Sequence, residues 1–357
     1  MNVFKADETA LRAAAEILAS GGVAVIPTDT VYGLAVMPDS REALERLYSI
    51  KERDRSKPIA LLASDAAAAE RYIGREAAAF GAKYWPGALT VVACGEGVRV
   101  PAHDWTRRLL AECGGALRVS SANLSGAAAA VDAAEALEDV GLRADIVIDA
   151  GPAAKGAAST VVRRENGRLE VLREGPVEFL ILASASPRRA KILDALGVDY
   201  TIVKTSAQEV SLPGDPVETV KRNALAKGAA LAGKRRVLSA DTIVWFNGRI
   251  YGKPRDRQEA KTFLRELSGN VHSVFTGVAF DAEVKVCRSD VKFRRLSDEM
   301  IDRYIDLVNP LDRAGAYDID ETGGMIIESR SGSYENIMGL PTEPLVEWGI
   351  AKGETSK

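Results

Sequence analysis

Phe179-Leu180-Ile181-Leu182-Ala183-Ser184-Ala185-Ser186-Pro187-Arg188-Arg189 is the stretch that decides the fold. Its first five residues are a continuous apolar run, the pattern of a strand covered on both faces. The run ends in small residues, and Pro187 suits the first turn of a helix, where a missing N–H forfeits nothing. Ile192, Leu193 and Leu196 return at helical spacing and Gly197 supplies the stop. Strand, small-residue turn and helix in succession make the repeating unit of an α/β protein. The turn also gathers chemistry. Backbone N–H groups, the hydroxyls of Ser184 and Ser186 and the guanidinium groups of Arg188 and Arg189 converge at a helix N-terminus and suit a polyphosphate. Taken alone, the same motif also fits a capped helix with exposed arginines.

Downstream, Ile243–Phe246, Asn247-Gly248 and Arg249–Tyr251 read as a hairpin, since Asn-Gly is the strongest short turn signal. Residues 256–267 and 297–307 read as amphipathic helices. Ser239-Ala240-Asp241-Thr242 interrupts an otherwise apolar strand. A carboxylate there is costly unless paired, which points to function for Asp241. Gly252-Lys253-Pro254 follows the hairpin and can return Lys253 to a phosphate, and Gln208-Glu209 offers a second acid at what reads as another strand exit. Two acids without a histidine match the needs of a divalent cation such as Mg²⁺ assisting attack of water on a phosphate.

Upstream the pattern is a separate α/β series. A helix over residues 8–19 is stopped by Gly21-Gly22, and the strand Val23–Ile26 runs into Pro27-Thr28-Asp29-Thr30. Asp39-Ser40-Arg41-Glu42 reads as a capping box. Strand-like runs recur at 59–62, 89–93, 117–120, 146–148, 159–162 and 169–172, with helices over 66–83 and 131–140. The boundary falls near Val177, dividing the chain into domains 1–177 and 178–357, each a twisted α/β sheet. The length of 357 residues agrees, at ~150 residues per domain.

Composition narrows the function further. With Lys+Arg 47 against Asp+Glu 50, no global field draws the chain to nucleic acid or an anionic membrane. Three scattered cysteines make neither a disulfide framework nor a thiolate zinc site, and they suit a reducing cytoplasm. No run approaches ~18 apolar residues, so a membrane span is not expected. The two histidines, His103 and His272, lie near no G-x-S-x-G elbow and form no zinc-binding pair. Carboxylates, Lys, Arg, hydroxyls and backbone N–H groups are left to do the chemistry, an inventory suited to nucleotides.

The second half resembles the Maf family of nucleoside triphosphate pyrophosphatases over nearly all of residues 179–350. The resemblance rests on Ser184-x-Ser186-Pro187-Arg188-Arg189, Asp241-Thr242, Gly252-Lys253-Pro254, Ser268-Gly269-x-x-His272, Thr276-Gly277-Val278, Ala314-Gly315-Ala316-Tyr317 and Gly332-Ser333-Tyr334-x-Asn336-x-x-Gly339-Leu340-Pro341. It implies an ITPase-like fold and hydrolysis between the α and β phosphates, giving a monophosphate and pyrophosphate. Asp241 would accept the proton of the attacking water, and Glu209 would help place the metal. Arg188, Arg189 and Lys253 would neutralise the triphosphate. Asp-Thr resembles the branch that prefers dTTP and UTP, as does Arg188, but that branch usually carries Gln where this chain has Asp320. A carboxylate accepts hydrogen bonds and donates none, so base recognition at Asp320 would differ. A homodimer through this half is implied by the same likeness. His272 fits the family pattern and reads as structural.

The first half resembles the YrdC-like threonylcarbamoyl-AMP synthase family across residues 8–176. Here the carrying segments are Pro27-Thr28-Asp29-Thr30-Val31-Tyr32-Gly33-Leu34, Lys51-x-Arg53 followed by Ser56-Lys57, Tyr84-Trp85-Pro86-Gly87-Ala88-Leu89-Thr90, Val98-Arg99-Val100-Pro101, Ser121-Ala122-Asn123-x-Ser125-Gly126, Ser159-Thr160-Val161-Val162 and Leu172-Arg173-Glu174-Gly175. The family condenses L-threonine, bicarbonate and ATP into threonylcarbamoyl-adenylate, a precursor in tRNA modification, which also implies transient contact with tRNA-modification proteins. The resemblance puts Thr30, Ser121 and Ser159 on the amino acid. It puts Lys51, Arg53, Lys57, Asn123 and Arg173 on ATP, with Arg99 in the same cleft. Ala127–Ala130 stands where the family offers a Pro/Ser-containing loop.

The leading expectation is therefore a fused, bifunctional nucleotide enzyme. A rival from another class is a regulatory nucleotide- or RNA-binding protein acting on cell division without catalysis in one or both halves. Retention of Asp241, Lys253 and Arg188 favours catalysis.

Overall fold

The computed structural model describes residues 3–352 except 166, 213, 321 and 322. The chain divides into two compact units, Met1–Glu178 and Phe179–Lys357.

Among the described residues, the strands of the first unit form one ten-stranded sheet. Their spatial order is Val3–Lys5, Ile146–Asp149, Ala24–Ile26, Gly33–Val36, Ala116–Ser121, Leu61–Ala63, Glu96–Arg99, Leu89–Ala93, Thr160–Glu165 and Arg168–Arg173. Alternation along the central strands sends side chains to two cores. Ala24, Ile26, Ala35 and Ile148 meet Leu11, Ala14 and Leu18 of the Glu8–Ala19 helix and Leu109 of the Asp104–Glu112 helix. Val23, Val25, Leu34 and Val147 meet Leu47 and Ile50 of the Arg41–Lys51 helix and Ala133 and Ala136 of the Ala133–Asp139 helix. The Arg41–Lys51 helix starts one residue later than the capping-box reading requires. Ser40 is the N-cap, accepting from Ala43 N–H, so the third helical position is Ala43 and no reciprocal acid closes a box. The strands Gly33–Val36 and Glu96–Arg99 and the Asp104–Glu112 helix were not anticipated. The strands are four residues each and carry glycine, and the helix is capped by a histidine, His103, whose Nδ1 accepts from Thr106 N–H at 3.3 Å.

In the second unit the order is Tyr200–Ile202, Leu180–Leu182, Val237–Phe246, Val271–Phe280, Glu283–Phe293 and Ile327–Ser331, with Arg249–Tyr251 paired to Val237–Phe246. The hairpin turns on Asn247 and Gly248, both at positive φ (50° and 77°), as a tight two-residue turn demands. Leu180–Leu182 runs parallel to Val237–Phe246. The short strand ends opposite the first half of the longer one, and Ser184, just beyond it, joins the mid-strand Asp241 and Thr242 in lining one cavity. The Pro216–Ala229 helix lies unusually close to the sheet. A Cβ added to Gly277 would come within 2.4 Å of the Val220 carbonyl, so the contact exists only because position 277 has no side chain.

Candidate functional site

In the second unit that cavity, of about 660 Å³, opens where the Leu180–Leu182 strand ends. Ser184, Ser186, Arg188, Arg189, Glu209, Asp241, Thr242 and Lys253 all line it. The Pro187–Ala195 helix begins there without a side-chain cap, and since Pro187 has no N–H, the N–H groups of its first turn are those of Arg188 and Arg189, both lining residues. Arg189 is strapped to three segments: Nε donates to the Gly339 carbonyl (2.8 Å), Nη1 to Ser184 Oγ (3.0 Å) and Nη2 to Thr242 Oγ1 (3.2 Å). Burial pulls its pKa down to about 10, so it stays charged at neutral pH. Lys253 is exposed and Arg188 half-buried.

Asp241 is 5% exposed and fully engaged. Its Oδ1 accepts from Lys227 Nζ at 2.6 Å and its Oδ2 from Asn223 Nδ2 at 2.9 Å. The same Lys227 ammonium reaches Glu209 at 2.8 Å, so one cation joins both acids. Glu209 lies in the coil that follows Tyr200–Ile202, several residues beyond the strand, rather than at a strand exit. Lys227 and Asn223 escaped the sequence reading. Both sit one turn apart on the Pro216–Ala229 helix, and the signal that could have found them is an Asn-x-x-x-Lys spacing that places both on one face.

Asp320 lies beside the cavity, next to the lining residue Ile319. It is not among the residues lining the cavity; its Oδ1 accepts from Tyr334 Oη and its Oδ2 from Lys191 Nζ at 3.2 Å. These partners hold its carboxyl below the ordinary range against the opposing effect of burial, which is the largest single influence. His272 is placed as expected of a structural residue. It is 2% exposed, edge-on to Phe293 and Tyr317, with Nε2 3.0 Å from Tyr317 Oη. Burial lowers its pKa to about 4, so it is neutral.

A second cavity, of about 300 Å³, lies in the first unit. Thr30, Arg53, Arg99, Ser121, Ser159 and Arg173 line it. Ser159 Oγ lies 2.8 Å from Thr90 Oγ1 and accepts from Arg173 Nη2 at 3.1 Å, and Arg173 also holds the Ser159 carbonyl. Arg99 donates to Thr30 Oγ1 (2.6 Å) and the Gly87 carbonyl (2.8 Å) and is paired with buried Asp29. That ion pair was not anticipated, and it makes Arg99 part of the cleft wall.

Three residues expected on ATP are turned elsewhere. Lys51 is buried, its Nζ donating to the carbonyls of Ser121 and Asn123, and desolvation lowers its pKa to about 8. Asn123 spends its Nδ2 on the carbonyls of Leu124 (2.7 Å) and Ala127 (2.9 Å). Lys57 is exposed outside the lining, and its carbonyl accepts from Arg53 Nε at 3.2 Å. Lys51 and Asn123 therefore shape the loop that presents Ser121.

Among the described residues no group of three or more His, Cys, Asp or Glu side chains is placed to hold a metal ion, and no helix is long and apolar enough to cross a membrane.

Residues 179–348 match the family model described as Maf-like protein, and residues 16–175 match the Sua5/YciO/YrdC model, described as telomere recombination. Relatives include a dTTP/UTP pyrophosphatase of Dictyoglomus thermophilum, 42% identical over 173 residues, covering 45% of this chain and 90% of that protein. Another from Bacillus cereus is 41% identical over 187 residues, covering 50% and 92%. Among solved structures, P. abyssi Sua5 complexed with L-threonine aligns at 21% identity and a TM-score of 0.49, over 64% of this chain and 76% of that one. E. coli YciO aligns at 23% and 0.46, over 50% and 96%.

Proposed function

Because the chain belongs to the Maf family, with a Sua5/YciO/YrdC unit fused ahead of its Maf unit, we propose that it carries two nucleotide activities. The second unit hydrolyses dTTP- or UTP-like nucleoside triphosphates to the monophosphate and pyrophosphate. The first forms threonylcarbamoyl-adenylate and pyrophosphate from ATP, L-threonine and bicarbonate. The observation that carries the first of these is a buried aspartate facing a cationic cleft at a helix N-terminus.

In the second unit, the free N–H groups at the start of the Pro187–Ala195 helix, with Arg188, Arg189 and Lys253, oppose the charge of the triphosphate. Arg189 cannot swing, so its charge is preorganised at low reorganisation cost. Asp241 receives a proton from the water that attacks the α-phosphorus, and the bond to the bridging oxygen of the pyrophosphate breaks. Lys227 and Asn223 both donate to that carboxylate and hold it in place for the transfer. Asp241 and Glu209, which the Lys227 ammonium bridges, are the acids that would hold a divalent cation such as Mg²⁺ beside the triphosphate. When bound, such an ion supplies charge neutralisation and a better nucleophile.

In the first unit, Arg53, Arg99 and Arg173 surround a cleft with hydroxyls at Thr30, Ser121 and Ser159. Cations around a polyphosphate and hydroxyls around a small amino acid are what adenylylation asks of a protein. Arg173, tied to Ser159, couples the two subsites.

The test is direct. The full chain is incubated with Mg²⁺ and a panel of nucleoside triphosphates while monophosphate and pyrophosphate are measured, and in parallel with ATP, threonine and bicarbonate while the adenylate is sought by mass spectrometry. Pyrophosphate release that persists undiminished in Asp241→Asn overturns Asp241 as the acceptor of the water's proton. Unchanged adenylate yield in Arg53→Ala overturns that of the cleft.

A further inference from the structure

We propose that Asn223 is a positioning residue of the second unit's site, the clamp that sets its two carboxylates in register; the proposal rests on the pyrophosphatase reading above. Asn223 is 3% exposed in the interior of the Pro216–Ala229 helix. A buried amide must place one acceptor and two donor hydrogens. All of these turn toward the site. Oδ1 accepts from Val210 N–H at 2.8 Å, and Nδ2 donates to the Val210 carbonyl at 3.0 Å and to Asp241 Oδ2 at 2.9 Å.

The two bonds to Val210 engage both backbone groups of one residue, as a neighbouring strand would. Val210 directly follows Glu209, so this side chain stands in for a strand along the coil and fixes the backbone from which Glu209 reaches Lys227. Thr219, one turn earlier, adds a bond from Leu212 N–H at 3.1 Å to the same helix. The third bond of Asn223 holds Asp241 Oδ2 and thereby leaves Oδ1 to Lys227 at 2.6 Å. One amide thus sets the coil that carries one acid and the rotamer of the other. Its role needs no contact with substrate.

Two variants separate this from a structural role. Asn223→Asp keeps an acceptor for Val210 N–H and loses both donors; Asn223→Ala loses everything. With the full chain and its best nucleoside triphosphate, kcat is expected to fall roughly 10- to 100-fold in Asn223→Asp with KM unchanged within about threefold. Hydrogen exchange at the Val210 amide, read without nucleotide, should stay slow in Asn223→Asp and become fast in Asn223→Ala. A wild-type kcat in Asn223→Asp, or a loss confined to KM, overturns the proposal, and so does a Val210 amide as slow in folded Asn223→Ala as in the parent. If Asn223→Ala does not fold, Asn223→Asp decides. A parent chain that releases no pyrophosphate defeats the pyrophosphatase reading instead, and the exchange measurement still judges the clamp.

Discussion

At the scale of single residues, the chemistry proposed for the second unit turns on an ammonium shared by two acids. Lys227 lies 2.6 Å from Asp241 and 2.8 Å from Glu209. Replacing it with Met leaves the buried Asp241 without its counter-charge. We expect kcat for pyrophosphate release to drop by about 10²- to 10³-fold in Lys227→Met, measured with saturating nucleotide. His272 gives a second prediction. Its pKa is about 4 in the folded chain, below the ordinary value of 6.5, so the unfolded chain binds the proton first as pH falls. Its contribution to stability is full above pH 6.5 and is lost by pH 4, a difference of about 3 kcal/mol. Denaturant unfolding followed across that range should lose part of its acid slope in His272→Gln, and an unaltered slope refutes the assignment. That Asp241 would be buried with partners was legible in the sequence, because a lone acid in an apolar strand has a cost that demands them. Lys227, Asn223 and Asp29 were not, since a Lys or Asn on a helix and an Asp in a turn are ordinary until tertiary structure supplies their partners. The inward turn of Lys51 onto two carbonyls was equally hidden, because its partners lie some seventy residues along the chain.

At the scale of elements, the Pro216–Ala229 helix delivers both Asn223 and Lys227, and its seat depends on Gly277. A methyl group there meets backbone, which cannot rotate aside. Gly277→Ala should destabilise the second unit by about 1–3 kcal/mol, seen in denaturant unfolding, and lower kcat as the helix is displaced. Gly97 is the control, because an added Cβ there meets only side-chain atoms at 3.5 Å or beyond, and Gly97→Ala should unfold near the wild-type midpoint. Elements with strong periodicity or punctuation were readable: the Glu8–Ala19 helix, the Leu89–Ala93 strand, the Asn247-Gly248 hairpin and the helix opened by Pro187. Short strands such as Gly33–Val36 were not, because their pairing with Ala24–Ile26 and Ala116–Ser121 is non-local and four residues carry too little pattern.

At the scale of the molecule, each unit carries its own cleft and its own cations. Asp241→Asn should leave the yield of threonylcarbamoyl-adenylate unchanged, and Arg53→Ala should leave nucleotide hydrolysis unchanged; a cross-effect in either assay would refute their independence. Both compact units were legible from the restart of the α/β pattern, whereas the strand order, with its mix of parallel and antiparallel neighbours, was beyond local reading. The junction between them has a practical consequence. Val177 is bound through both backbone groups to Thr160 Oγ1 and Phe179 is already buried, so a single residue, Glu178, separates two anchored positions. A protease needs several residues of extended, accessible chain to cut. Subtilisin, which is indifferent to side-chain charge, should spare this seam and nick surface loops first, so isolated halves are better prepared by dividing the gene.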